Sequence, residues 1–299
     1  MPDEACAVSP EDEAAPSGGV PAGLVLVSTP IGNLGDMTDR ARATLAGADL
    51  LLCEDTRTTA RLLTALGVAA PRMQPLHEHN EDGRIASVLA ALRAGRLVVL
   101  VSDAGTPLVS DPGFRLVRAA IAEGLPVGAV PGANAALTAL VLSGLPPQPF
   151  LFLGFPPPRS AARLAGFGQL RAAERAGLAA TLIWHEAPHR LAETLADMAQ
   201  AFGPRPAAVA RELTKRFEEV RRGTLAELAA HYAANAARGE ITVLVGPAEA
   251  EAGDPEDLDA RLRAALAGNS LKDAAALVAT ATGLPRKLVY ARALELAAE

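Results

Sequence analysis

Three short segments hold most of the side chains that could do chemistry, and each follows an apolar run. Ser102-Asp-Ala-Gly-Thr-Pro107 follows Leu97–Val101, a β-branched-rich stretch of the length expected for a buried parallel strand. Glu54-Asp55-Thr56-Arg57 follows Asp49–Cys53, and His77-Glu-His-Asn-Glu81 follows Met73–Leu76. Small residues at a strand end let a ligand approach the backbone closely, and open α/β sheets bind ligands at such ends. A plain strand–turn–helix connection rarely needs twelve residues with two Gly, two Pro and two Asp, so 102–113 reads as a ligand loop. The usual signatures are missing: no G-x-G-x-x-G follows the first strand, and there is no P-loop lysine, H-E-x-x-H or G-x-S-x-G. His77 and His79 match no recognised metal spacing, so no metal is expected.

The elements that must position these segments alternate. Strands are expected at 24–27, 49–53, 73–76, 97–101 and 126–130. Helices are expected from Thr38 to Ala46, 58–66, 82–94, after Pro112 with Asp111 as its cap, and 135–143. That alternation predicts βαβ units and a mostly parallel sheet. Leu145-Pro-Pro-Gln-Pro149 is a rigid break. Beyond it come a strand at 150–153, a helix bearing Arg163, Arg171 and Arg175, and a strand at 179–184 followed by a loop at 185–190. A helix to 201 and strands at 207–210, 218–222 and 241–245 complete this half, with a helix capped by Thr224 between the last two. The expected organisation is an acidic disordered tail at 1–22, an N-terminal α/β domain at 23–147, a mixed α/β domain at 148–248, an acidic linker, and a small helical extension at 255–299. The gap at Gly283-Leu-Pro285 gives the last two helices the outline of a helix-turn-helix. No basic recognition helix stands out, so they read as capping helices.

Composition bounds the function. The 299 residues carry a formal net charge of −6, but the first 22 residues hold five acids and no base, so the remaining body carries −1. Bulk charge therefore does not announce nucleic-acid binding, which would need a local basic patch. Cys6 and Cys53 make no disulfide framework. Residues 124–158 lack charge, yet Pro131, Pro146 and Pro147 leave too short a piece to span a bilayer, and the N-terminal residues are not expected to be a signal peptide. A soluble, cytoplasmic protein with no membrane contact is expected.

Eight collinear stretches carry a resemblance: TPIGNLGDMTDRA (29–41), LLCEDTRTTARLL (51–63), LHEHNE (76–81), VSDAGTPLVSDPG (101–113), VPGANAALTAL (130–140), EAPHRL (186–191), ARELTKRFEEVRRGT (210–224) and GEITVLVG (239–246). Together they resemble the ribosomal RNA small subunit methyltransferase I family of the tetrapyrrole methylase superfamily, over residues 22–297. The resemblance implies a two-domain α/β class III methyltransferase, with S-adenosylmethionine in the cleft between the domains. It also implies a homodimer, and 2′-O-methylation of a cytidine ribose in 16S rRNA of the 30S subunit. The matching cofactor positions are Pro30, Asp103, Gly105, Leu108, Asn134, Ala135, Trp184, Ala210 and Ile241.

Methyl transfer to a hydroxyl is an in-line displacement that gains from alignment and a nearby base. Glu54, Asp55, His79 and Glu81 are candidate bases or orienters. Arg57, Arg190, Arg211 and Lys215 are candidate phosphate contacts. Asp55 and Arg57 could instead form a structural ion pair, and each cation could bridge to Glu186, Glu212 or Glu218. Two other readings compete. A tetrapyrrole C-methyltransferase would want a large apolar pocket and little positive charge, against which the EDTR, HEHNE and ARELTK stretches speak. A non-catalytic RNA-binding module would want aromatic stacking platforms, yet aromatics make up 3% of the chain.

Overall fold

A computed structural model describes residues 22–248, 255–282, 284 and 286–297. The tail expected at 1–22 and the linker after 248 fall, save for their edge residues, outside that set. The chain divides into two compact units, one ending at Ala135 and the other beginning at Ala136.

The first unit is a five-stranded parallel sheet in the order β3-β2-β4-β1-β5. Its strands are β1 (Gly23–Val27), β2 (Leu50–Cys53), β3 (Met73–Pro75), β4 (Leu97–Val101) and β5 (Val127–Val130). Helices α1 (Asp39–Ala46) and α2 (Thr56–Leu66) cover one face; α3 (Glu81–Arg93) and α4 (Phe114–Ala122) cover the other. Every residue of β4 is buried, and its side chains alternate between the two cores. Leu97, Val99 and Val101 join Ala41, Leu45 and Leu63; Val98 and Leu100 join Val88, Leu116 and Ala120. Burial on both faces is why the strand reads as an unbroken apolar run, each such side chain contributing about 1.5–3 kcal/mol. The connections leave β2 by one face and β4 by the other, so the order reverses at β4. The crevice outside the carboxyl ends is widest at such a reversal.

The second unit opens with α5 (Ala135–Ser143) and a mixed sheet in the order β6-β7-β10-β8-β9. Its strands are β6 (Phe150–Phe152), β7 (Thr181–Glu186), β8 (Pro206–Arg211), β9 (Glu219–Thr224) and β10 (Ile241–Val245). Only β6 and β7 run parallel. One sheet face packs on α6 (Ser160–Arg175), α7 (Leu191–Phe202) and α8 (Leu225–Ala234), around Phe167, Trp184, Leu195 and Phe202. The helix α6 brings charge into this core: fully buried Arg163 donates to Asp197 at 2.7 Å, and Arg205 grips Glu174 at 2.5 and 2.7 Å. Paired and hydrogen-bonded in this way, buried charge avoids most of its desolvation cost. Helices α9 (Pro255–Leu266), α10 (Leu271–Thr282) and α11 (Arg286–Ala297) bury Leu262, Ala275 and Val289 in a core of their own.

Two local expectations change. The helix after Pro112 begins at Phe114, with Gly113 at φ +118° as its N-cap, so Asp111 does not cap it. A substitute comes from α3: the buried Glu81 carboxylate accepts the Leu116 amide at 3.0 Å, supplying the cap from another helix. His185 and Glu186 lie inside β7 rather than in a loop. Among the described residues no helix is long and apolar enough to cross a membrane.

Candidate active site

The loops after β1, β4 and β5 are laced together at the carboxyl edge of the parallel sheet. The Thr29 amide donates to Gly105 O at 2.9 Å and the Gly105 amide to Thr29 O at 3.1 Å. Thr29 Oγ1 donates to Ser102 O, and Ser102 Oγ to Gly105 O. Thr106 Oγ1 ties in the third loop, donating to Ala133 O at 3.2 Å and accepting from Asn134 Nδ2 at 3.3 Å. Gly105 is buried at φ +84°, and a Cβ there would stand 3.3 Å from Ile31 Cγ2. Only glycine takes that backbone without strain. Leu108 and Ser110 are held at φ +70° without being glycine, a cost of about 1–3 kcal/mol each that tends to collect at ligand clamps. Pro30 and Asn134 are half-buried on the same loops, and Ala135 begins α5.

Carboxylates crowd this edge. Asp103 Oδ1 accepts the Asp55 amide at 3.3 Å, joining the ends of β4 and β2. Burial pushes the Asp103 carboxyl up from its ordinary value, and the Asp55 charge adds to it. Glu54 is raised by burial and then by Asp103 and Glu78. Asp111 is raised to about 6 by burial and by Glu54. Such mutual repulsion is relieved when a cation is placed among the groups. A sulfonium or ammonium centre is a cation of that kind, and the glycine at 105 keeps a side chain out of this loop. The residues therefore fit the cofactor implied by the resemblance.

The other expected residues sort themselves by geometry. Asp55 is the N-cap of α2, its carboxylate accepting the Arg57 amide at 2.7 Å. The Asp55 carboxylate thus serves the helix end, leaving the exposed Arg57 guanidinium at the same edge. His79 is exposed beside His77, with ring centroids 6.1 Å apart. Glu81 is removed from the candidate bases, since it is buried and bound to Leu116. Among the described residues no cluster of His, Cys, Asp and Glu could hold a metal.

In the second unit, Trp184 is 3% exposed and stacks against Phe167 and Phe202, so its ring is core; Ile241 belongs to the same core. The opposite sheet face carries Ala210, Thr242 and His185 side by side in register. His185 Nδ1 lies 3.2 Å from Thr242 Oγ1, and burial lowers its pKa. Sequence reasoning missed it by ending the strand at 184, although the alternation of Leu182 and Trp184 with Ile183 and His185 carried the signal. Three of the four cations expected to meet phosphate are engaged within the fold. Arg190 donates to Pro156 O at 2.7 Å and to Glu186, Arg211 donates to Glu219 at 2.5 Å, and Lys215 bridges Glu212 and Glu240 at 2.9 and 3.1 Å.

Comparison with known proteins places these features. Residues 23–229 match the family described as Tetrapyrrole (Corrin/Porphyrin) Methylases. Residues 252–297 match the RsmI C-terminal HTH domain. The last helices are thus similar to a helix-turn-helix domain, correcting the expectation of plain capping helices. A Mesorhizobium japonicum protein named ribosomal RNA small subunit methyltransferase I is 50% identical over 275 residues, covering 91% of this chain and 92% of its own. A protein of the same name from Micromonospora olivasterospora is 47% identical, covering 89% and 85%. In fold, the chain is similar to uroporphyrin-III C-methyl transferase from Thermus thermophilus complexed with S-adenyl homocysteine. That match has a TM-score of 0.51 at 20% identity, covering 75% of this chain and 97% of the other.

Proposed function

Because the chain belongs to the ribosomal RNA small subunit methyltransferase I family of tetrapyrrole methylases, we propose that it methylates the 2′-oxygen of a cytidine ribose in 16S rRNA, with S-adenosylmethionine as donor. The observation that carries the reading is the acid-rich, glycine-centred edge of the parallel sheet, in a chain 50% identical to a protein of that name. When bound, S-adenosylmethionine supplies the methyl group. With it bound, its thioether as the leaving group, the chain's residues would align the ribose 2′-hydroxyl for in-line transfer and take up its proton.

Asp103, held against the Asp55 amide, fixes the polar end of the cofactor. The Gly105–Thr29 pairing holds the backbone that cofactor lies on. Burial raises the Glu54 carboxyl above its ordinary value, a direction that suits a proton acceptor at the edge where the hydroxyl arrives. Arg57 offers its exposed guanidinium to a phosphate, and His79 orients the ribose.

The assembled 30S particle is the substrate, and the body's charge of −1 supports this, because it gives weak non-specific attraction to naked RNA. The protein works as a cytoplasmic homodimer. The helix α5 is apolar around its circumference and leaves Val141 three-quarters exposed, as a helix covered by a second copy would. The test is methyl transfer from labelled S-adenosylmethionine to 30S particles and to naked 16S rRNA, side by side. Faster labelling of the particles is expected; equal rates overturn the 30S assignment.

A further inference from the structure

The hairpin between β8 and β9 ends in a turn, residues 212–218, whose charged groups are almost all spent on holding its shape. The Glu212 amide donates to Glu240 O and the Glu240 amide to Glu212 Oε1, at 3.0 and 3.1 Å. Lys215 Nζ closes on both carboxylates, and Glu218 accepts the Thr214 amide at 2.6 Å. Glu212 and Thr214 sit at φ +49° and +64°. Gly239 makes room: a Cβ there would fall 2.2 Å from Glu212 Oε1. Strain of this kind persists only where the surroundings over-determine it. Leu213 is buried and anchors the turn from below.

Two side chains are left over at the tip. Phe217 is 66% exposed, and the Arg216 guanidinium lies 5.5 Å from its ring centroid. Among the described residues Arg216 has no carboxylate partner, while Arg211, Lys215, Arg221 and Arg222 are all bonded within the fold. An exposed aromatic beside a free guanidinium, on a turn that cannot collapse to hide it, matches how proteins hold unpaired bases: the ring stacks on the base and the cation meets the phosphate. We propose that this tip is an RNA contact of the enzyme, in which Phe217 stacks on an unpaired base of the rRNA and Arg216 binds the adjoining phosphate. The inference rests on the function proposed above and adds the residues that grip the substrate. A second copy of the chain would favour an apolar patch around the ring, whereas the turn that carries Phe217 also bears the charged Glu212, Lys215, Arg216 and Glu218.

The test uses the full chain, 30S subunits and labelled S-adenosylmethionine. Phe217→Ala should raise the KM for 30S about 5- to 150-fold, the range of one lost base stack, with the Kd for S-adenosylmethionine unchanged. Phe217→Trp should restore the KM, while Phe217→Leu, apolar but unable to stack, should not. Arg216→Gln should reduce the slope of log affinity against log salt by about one. An unchanged KM for Phe217→Ala, full activity of Phe217→Leu, or a change in oligomeric state by light scattering overturns the inference. If wild-type protein labels 30S and the variants match it, only this inference fails. If wild-type protein labels no RNA, the function it rests on fails with it.

Discussion

Asp103→Asn separates a ligand carboxylate from a turn-holding one. Asparagine keeps the shape and keeps an oxygen to accept the Asp55 amide, so the bond joining β2 to β4 survives. Burial and the Asp55 charge already disfavour the ionised carboxylate, so the neutral side chain should leave stability equal or slightly higher. What is lost is a charge-assisted contact to a cationic ligand. Hydrogen bonds to charged groups are worth about 1.5–3 kcal/mol, so the Kd for S-adenosylmethionine should rise about 10- to 150-fold. Calorimetric titration reads this directly, with thermal melting of the same samples alongside. A Kd within twofold of wild type, or a melting point lowered by several degrees, would refute the reasoning and make Asp103 a structural residue.

Other consequences follow from the same edge. Asp111 holds its proton up to about pH 6 in the folded chain, whereas an unfolded aspartate lets go near 4. The folded state therefore binds the extra proton between those values, and stability falls as pH rises through that window. Asp111→Asn should be more stable than wild type at pH 8, by about 1 kcal/mol once solvent screening of a half-exposed group is allowed for, and should lose that advantage below about pH 4 in urea titrations. Asp55→Ala removes the α2 cap and should cost about 0.5–2 kcal/mol, while Asp55→Asn, itself a good cap, should melt like wild type. An ion pair with Arg57 would instead make both variants equally unstable. Glu81→Ala strands the buried Leu116 amide and should cost about 1–3 kcal/mol in urea denaturation, with Glu81→Gln recovering most of it.

The parallel sheet was legible because two-sided burial writes continuous apolar runs such as Leu97–Val101, and small-residue loops mark their carboxyl ends. The site residues of the first unit lie just past the carboxyl ends of its five strands, so spacing alone brought Asp103, Glu54 and Asp55 to one edge. The hidden part is tertiary. Nothing local in Gly113-Phe-Arg-Leu116 says that a glutamate from the preceding helix will cap it, so Asp111 looked like the cap. The cations Arg190, Arg211 and Lys215 looked available because their partners Pro156, Glu219 and Glu240 are 34, 8 and 25 residues away in the chain. Arg216 and Phe217 stood in the same motif unremarked, since exposure is settled by which neighbours the fold spends elsewhere. The resemblance implies Trp184 as a cofactor position, and strand alternation sends its ring into the helical core.

The most direct test of the account is where the methyl group lands. Purified protein, 30S subunits and methyl-labelled S-adenosylmethionine are incubated together, and the extracted 16S rRNA is hydrolysed in alkali. Alkaline cleavage needs a free 2′-hydroxyl as nucleophile, so a 2′-O-methyl group protects the linkage that follows it. The account predicts that the label is recovered in a single alkali-resistant dinucleotide whose first residue is cytidine, and that Asp103→Asn greatly reduces it at limiting cofactor. Label recovered in alkali-released mononucleotides would place the methyl on a base. Label absent from RNA but transferred to a uroporphyrinogen would move the chain to tetrapyrrole chemistry. Either result contradicts the account.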